Sequence, residues 1–439
     1  MKRILLFPVT LILLFQLSCS TGNNSDAWIS YASPEREGLS NDSLMNIGKL
    51  LKEFTDSRKL PGGAALVAKN GKIVYEVSFG FRDIEKKIPL EKTDLFRIAS
   101  MTKPIVTVAA MQLYEKGRLK LTDPVSKYIP SFSKPTVLVT FNKKDSSYTS
   151  RPASREVTIT DLLTHTSGIG YSFSDSALSA IYAKNGIPSM SLPLDLTIEK
   201  TMSGLGELPL AFEPGTKFLY GLNTDVLGRV VEVASGMSLS DYIEKNITGP
   251  LKMNDTRFYF DSTFTNRLTT LYASNHKDSS LVKFERLGPY TSDFPVAGAK
   301  KYFSGGSGIT CTMQDYFIFC QALLNKGTYN GVRILSDTTV ALMFTDHLGA
   351  LRWNEFASFG YGFRIVREKR ADGRPGRVID LGWAGAFSTW FSINPAENEI
   401  AIFMTQVLNN PYSDIFNYRF DKIVRSANVS AVDPGEKQK

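Results

Sequence analysis

One serine in this chain is placed to act as a nucleophile. In Ser100-Met101-Thr102-Lys103 a hydroxyl and an amine stand three positions apart, which on a helix puts them on one face. A serine attacks a carbonyl only when a neighbour takes its proton. A lysine can take it where burial brings the amine towards neutrality, and Ile98, Ala99, Met101, Ile105 and Val106 offer an apolar setting. The same S-x-x-K spacing occurs at four serines, Ser100, Ser131, Ser274 and Ser280. Ser131 lies between Pro130 and Pro135, a loop context, and the stretches around Ser274 and Ser280 are polar and aperiodic. Only Ser100 falls where a strand pattern runs into a helix pattern. There its own N–H and the free N–H groups of the helix start could face a developing oxyanion.

Other catalytic patterns are missing. No G-x-S-x-G occurs, so the nucleophile elbow of an α/β-hydrolase is absent. The chain has three histidines and no H-E-x-x-H; no metal site and no cofactor are expected. His165, at a predicted helix end, is expected to be a hydrogen-bonded structural residue, and His276 and His347 are isolated. Ser304-Gly305-Gly306-Ser307-Gly308 is not followed by Gly-Lys-Ser/Thr, so it is no phosphate loop; tight backbone passage near the site is the expected use of its glycines.

The elements that must position Ser100 follow from periodicity. Residues 63–68 and 73–77 read as strands joined at Asn70-Gly71, a strong hairpin signal. Leu95 to Ala99 leads into Ser100, and residues 101–117 read as a helix with Pro104 in its first turn and Gly117 at its end, the positions at which each is tolerated. Further helices are expected over 158–163, 224–233 and 312–324, and further strands over 359–366, 378–383, 387–393 and 400–405. The polar stretch Thr140 to Glu156 reads as a surface loop. Strands come first and last with helices between. The fold class is therefore α+β, a sheet built from both chain ends with a mostly helical insertion. The expected boundaries put the sheet part at about 35–100 and 355–425, the helical part at about 101–354, and a disordered polar tail at 426–439.

Four ordered segments resemble the serine β-lactamase and penicillin-binding superfamily. They are Phe96-Arg97-Ile98-Ala99-Ser100-Met101-Thr102-Lys103-Pro104, Leu162-Leu163-Thr164-His165-Thr166-Ser167-Gly168, Phe212-Glu213-Pro214-Gly215-Thr216-Lys217-Phe218-Leu219-Tyr220, and Leu381-Gly382-Trp383-Ala384-Gly385-Ala386-Phe387. The resemblance covers roughly residues 35–425. It implies the transpeptidase-like fold and an acyl-enzyme formed on Ser100, with Lys103 as activator and Tyr220 as a second base. It also implies an oxyanion hole from the backbone N–H groups of Ser100 and Ala386. The second motif of class C enzymes is Y-x-N, whereas here Tyr220-Gly221-Leu222 puts Asn223 one place late. The third is K-T-G, and none occurs. Trp383-Ala384-Gly385 instead resembles the W-x-G of family VIII carboxylesterases, with Trp383 and Gly385 lining the substrate site. A lysine at that place would grip a substrate carboxylate; an indole offers an apolar wall. The expected activity is a carboxylesterase on small neutral esters. The alternatives are a β-lactamase or D-alanyl-D-alanine carboxypeptidase, and, in another class, a non-catalytic sensor on the same fold.

Composition narrows the partners. The 439 residues carry a net charge of +8, but Lys and Arg are scattered among 43 acids with no basic block. That argues for a solvated surface and against nucleic acid. No protein partner is inferable, which leaves a small ester or amide substrate. Lys2 and Arg3, the apolar run Ile4 to Leu17 and the small residues 18–20 read as a signal peptide over 1–18, too short to span a membrane. Cys19 stands where bacterial lipoproteins carry their lipid, although Gln16-Leu17-Ser18 departs from the usual pattern. The expectation is a lipidated tether over 19–34 and an exported enzyme of the bacterial cell envelope, anchored facing the periplasm or the cell surface. Cys311 and Cys320 are expected to be apolar core residues and not a disulfide.

Overall fold

The computed structural model describes residues 28–188, 195–275, 277–287 and 290–429. The signal-like run, Cys19 and His276 lie outside the described residues. The helices that matter for the site are α1 (Asn41–Asp56), α2 (Thr102–Glu115), α3 (Ile159–Leu163), α4 (Asn223–Ser235), α5 (Met313–Leu324) and α6 (Ser413–Ala427). The strands are β1 (Gly62–Lys69), β2 (Lys72–Asp83), β3 (Thr136–Phe141), β4 (Tyr148–Pro152), β5 (Ala357–Phe359), β6 (Arg364–Lys369), β7 (Pro375–Gly385), β8 (Thr389–Asn394) and β9 (Glu399–Met404).

The main sheet runs β2-β1-β9-β8-β7-β6-β5, all antiparallel, with Ser30–Tyr31 added in parallel to β2. Its two ends of chain meet at β1 and β9, where Leu66 pairs with Ile402. The β1–β2 turn places Asn70 at φ 53° and Gly71 at φ 79°, the left-handed pair that the Asn-Gly signal requires. Side chains alternate across β1 as a strand demands. Ala65 and Val67 face a layer made by α1 and α6, while Ala64, Leu66 and Ala68 face the larger core under the helical body. Helix α1 earns its place in the outer layer through Leu44, Ile47, Leu50, Leu51 and Phe54, all buried, and is capped by Ser40, whose side chain accepts from Ser43 N–H.

Helix α2 is different. It is buried from Thr102 through Leu113, so it is enclosed on every side, as a central helix is, and not merely along one stripe. Helices α4 and α5 pack in the same core. Cys311 and Cys320 are both buried and free, as expected of apolar core residues. The stretch read as a surface loop is in part a hairpin: β3 and β4 pair from Thr136↔Pro152 to Phe141↔Tyr148. Val139 and Tyr148 are exposed and all of β4 faces solvent, so the alternation that betrays a half-buried strand is weak there. At the carboxyl end α6 runs to Ala427, and Asn428 lies across from Leu39. At the amino end Trp28 is already docked, its indole N–H donating to the Leu251 carbonyl at 2.8 Å.

Candidate active site

Ser100 sits in a short 3-10 turn, Ala99–Met101, that runs directly into α2. The preceding Ala99 has φ 45°, a backbone conformation that a non-glycine residue adopts at a cost. Ala99 is buried against Leu271, Phe387 and Leu408, which holds it there and turns the serine into an open pocket. Lys103, one turn along α2, is 1% exposed. Its Nζ lies 3.1 Å from Ser100 Oγ, 3.0 Å from Tyr171 Oη and 2.8 Å from the Gly306 carbonyl oxygen. The three contacts come from three separate parts of the chain.

The glycine run at 304–308 supplies one of them for a steric reason. A Cβ at Gly306 would stand 2.4 Å from Asp225 Oδ2 and 2.7 Å from Tyr171 Oη, so only glycine fits. Tyr171 was not singled out from the sequence. It follows the Leu162–Gly168 motif by three residues, and that adjacency was the available signal. Burial and then the Asp225 charge push the Tyr171 hydroxyl well above its ordinary range, so it remains a phenol.

Tyr220 is brought to the same place. Lys103 Nζ lies 4.7 Å from its ring centroid. Its hydroxyl accepts from the Trp383 indole N–H at 3.0 Å, and among the described residues no hydrogen bond joins it to Ser100 or Lys103. Trp383 therefore does more than form an apolar wall: it fixes the hydroxyl of Tyr220. Phe218, Phe359 and His165 pack around these two rings. His165 is buried, and burial followed by the Lys103 charge holds its pKa well below the usual value. Its Nδ1 accepts from Gly221 N–H at 3.3 Å and lies 2.9 Å from Asn223 Nδ2. Asn223 also bonds Ser167 and the Ile169 carbonyl. Both residues thus brace the loop that carries Tyr220 from behind, and neither lines the pocket in front of Ser100.

The fourth wall is the end of β7. A Cβ at Gly385 would meet Thr389 Oγ1 at 2.2 Å and the Ile98 carbonyl oxygen at 2.3 Å; glycine lets this strand close onto the segment before the serine. Ser100, Tyr220, Trp383, Gly385 and Ala386 all line one pocket of about 660 Å³. Among the described residues, no lysine, arginine or histidine lines it. The arginines nearest in sequence to Trp383 are engaged elsewhere: Arg364 with Asp380, Arg374 with Asp372, and Arg377 with Glu397 and Glu368.

The Beta-lactamase family model matches residues 47–424. This chain belongs to the beta-lactamase family. Family membership makes it a serine hydrolase with the transpeptidase-like α+β fold. Among family members, Esterase EstB of Burkholderia gladioli is 30% identical over 349 residues, which is 76% of this chain and 83% of that one. Lovastatin esterase of Penicillium rubens is 30% identical over 67% of this chain and 71% of its own. Among solved structures, EstCE1, described as a hydrolase with promiscuous acyltransferase activity, superposes with a TM-score of 0.72 at 26% identity, covering 89% of this chain and 99% of that one.

Proposed function

We propose that this family member is an exported carboxylesterase that works through an acyl-enzyme on Ser100. The pocket carries the substrate side of the reading: Ser100 stands in a cavity walled by Tyr220 and Trp383, with no cationic side chain among the described residues lining it. A substrate carboxylate there would lose its water and gain no counter-charge, at a cost of a few kcal/mol. A neutral ester suffers no such loss. The similarity to Esterase EstB and to the solved EstCE1 supports the same class.

The geometry suits the chemistry. Two of the Lys103 contacts, to Tyr171 Oη and the Gly306 carbonyl, use N–H bonds of the nitrogen. Its remaining valence faces Ser100 Oγ. In the amine form that valence is a lone pair, which takes the serine proton as Oγ bonds to the ester carbon. The backbone N–H groups of Ser100 and Ala386 receive the oxyanion. The carbon–oxygen bond to the alcohol then breaks, the Tyr220 hydroxyl, oriented by Trp383, gives the alcohol its proton, and the Tyr220 oxygen is reprotonated by the Lys103 ammonium beside it. Water attacks the acyl-enzyme by the same route in reverse. Intact mass spectrometry after mixing with a p-nitrophenyl ester, a penicillin and a fluorophosphonate, with the labelled peptide mapped, tests the reading. The ester and the fluorophosphonate should label Ser100, Ser100→Ala should abolish both, and kcat/KM for short esters should exceed that for penicillins by about a hundredfold. Efficient penicillin turnover would overturn the esterase assignment and leave the serine mechanism standing.

Export and anchoring are proposed from residues 1–20 alone. The charged start, the apolar run and Cys19 fit a lipoprotein signal. Cys19→Ala, or globomycin treatment, should move the protein from the membrane to the soluble fraction; unchanged partition would leave simple signal cleavage.

A further inference from the structure

The mechanism above uses every group that touches Lys103 but leaves one buried acid unexplained. Asp225, in the first turn of α4, is 1% exposed. Carboxylates are seldom buried without a partner of opposite charge or several donors. Here Ser304 Oγ donates to Oδ1 at 2.6 Å, while Oδ2 packs against Gly306, whose backbone N–H also favours the carboxylate without reaching full hydrogen-bond geometry. The other face of Gly306 presents its carbonyl to Lys103 Nζ at 2.8 Å. A single glycine thus stands between the acid and the amine. The ionisable groups that face Asp225 are Lys103 from α2, Tyr171 from the segment after α3 and Tyr302 from the strand of chain leading into the glycine run. The two phenols are held protonated, chiefly by burial. Lys103 is the one group among the three that can bear a positive charge.

We propose that Asp225 is a positioning residue of the active centre: through Ser304 and Gly306 it holds the carbonyl that orients Lys103, and its carboxylate is the counter-charge for the ammonium that Lys103 becomes on taking the Ser100 proton. The inference rests on the serine-hydrolase reading of Ser100 and Lys103. Its logic is that of any buried acid set behind a base: charge that develops during reaction is met by a group already in place. Burial pushes the Asp225 carboxyl up, opposed first by the Ser304 bond and then by the Lys103 charge.

Asp225→Asn keeps the shape and removes the charge. It should lower kcat/KM for p-nitrophenyl butyrate by about tenfold or more, as expected when a general base loses its counter-charge. The acid limb of the pH–kcat/KM profile should also move to lower pH by about half a unit or more, because the ammonium form is no longer favoured. Ser304→Ala, which keeps the charge, should lose activity with the limb in place. Asp225→Ser serves as a second neutral variant if the amide does not fold. A limb that stays put in a folded neutral variant, or failure of both neutral variants to fold where Ser304→Ala does, would assign Asp225 to stability and overturn the proposal. Fluorophosphonate labelling of Ser100 in the wild type separates the two levels: without it the serine reading itself fails, and with it an unmoved limb refutes Asp225 alone.

Discussion

At the scale of single residues, the site depends on which atoms of Trp383 are used. Its ring walls the pocket, and its N–H holds the Tyr220 hydroxyl at 3.0 Å. These two roles separate experimentally. Trp383→Phe retains an aromatic wall and deletes the donor. A neutral hydrogen bond is worth about 1 kcal/mol, so kcat for p-nitrophenyl butyrate should fall by about fivefold with KM nearly unchanged. A rise in KM alone would make the indole a substrate contact and nothing more. The same scale shows what sequence can and cannot disclose. Ser100 and Lys103 are neighbours on one helix turn, so spacing is enough to find them. Tyr171 reaches Lys103 from 68 positions away and Gly306 from 203. No local pattern encodes such approaches; they exist only once the helical body has packed.

At the scale of elements, short caps and turns set the position of the loops that carry function. Helix α3 has only five residues, yet it starts with a complete capping box in which Thr158 Oγ1 accepts from Asp161 N–H and Asp161 accepts from Thr158 N–H. Arg155 adds two bonds to the same carboxylate, at 2.6 and 2.8 Å. The chain leaves this helix through His165 at φ 56° and arrives at Tyr171. Thr158→Ala should cost about 1 kcal/mol, a fall in Tm of about 1 °C for a chain of this size. Thermal melts that overlay the wild type would show that packing, not the cap, holds α3. Helices α2 to α5 and the core strands are legible from periodicity because their apolar faces are regular; periodicity left out α1 and α6, which cover the outer face of the sheet. The β3–β4 hairpin is not legible, because its burial is shallow and β4 is exposed along its whole length. Helix α2 was found, yet its burial on every side was not, since a stripe and a full jacket differ by only a few residues.

At the scale of the whole molecule, the junction of β1 with β9 is the seam of the sheet, and an acid sits on it. Glu399 is buried beside Lys69, and burial raises its carboxyl to about 7 from an ordinary 4.5. The folded protein therefore keeps a proton that the unfolded chain releases. The stability this contributes is complete below about pH 4.5 and is lost as the pH rises through about 7. Glu399→Gln should remove that dependence. Urea midpoints measured from pH 4.5 to 8 should decline more steeply for the wild type than for the variant; parallel curves would refute the assignment. The seam has a further consequence. Ser100 is made early in synthesis, whereas Trp383 lies on β7 and Ala386 directly after it, and β7 connects to β1 only through β8 and β9 near the end of the chain. A ribosome that has produced the serine and its lysine has not yet produced a catalyst. Hydrolysis must wait for the last strand to pair with the first, so a chain threaded unfolded through a translocation channel would be chemically silent until it emerged whole on the far side.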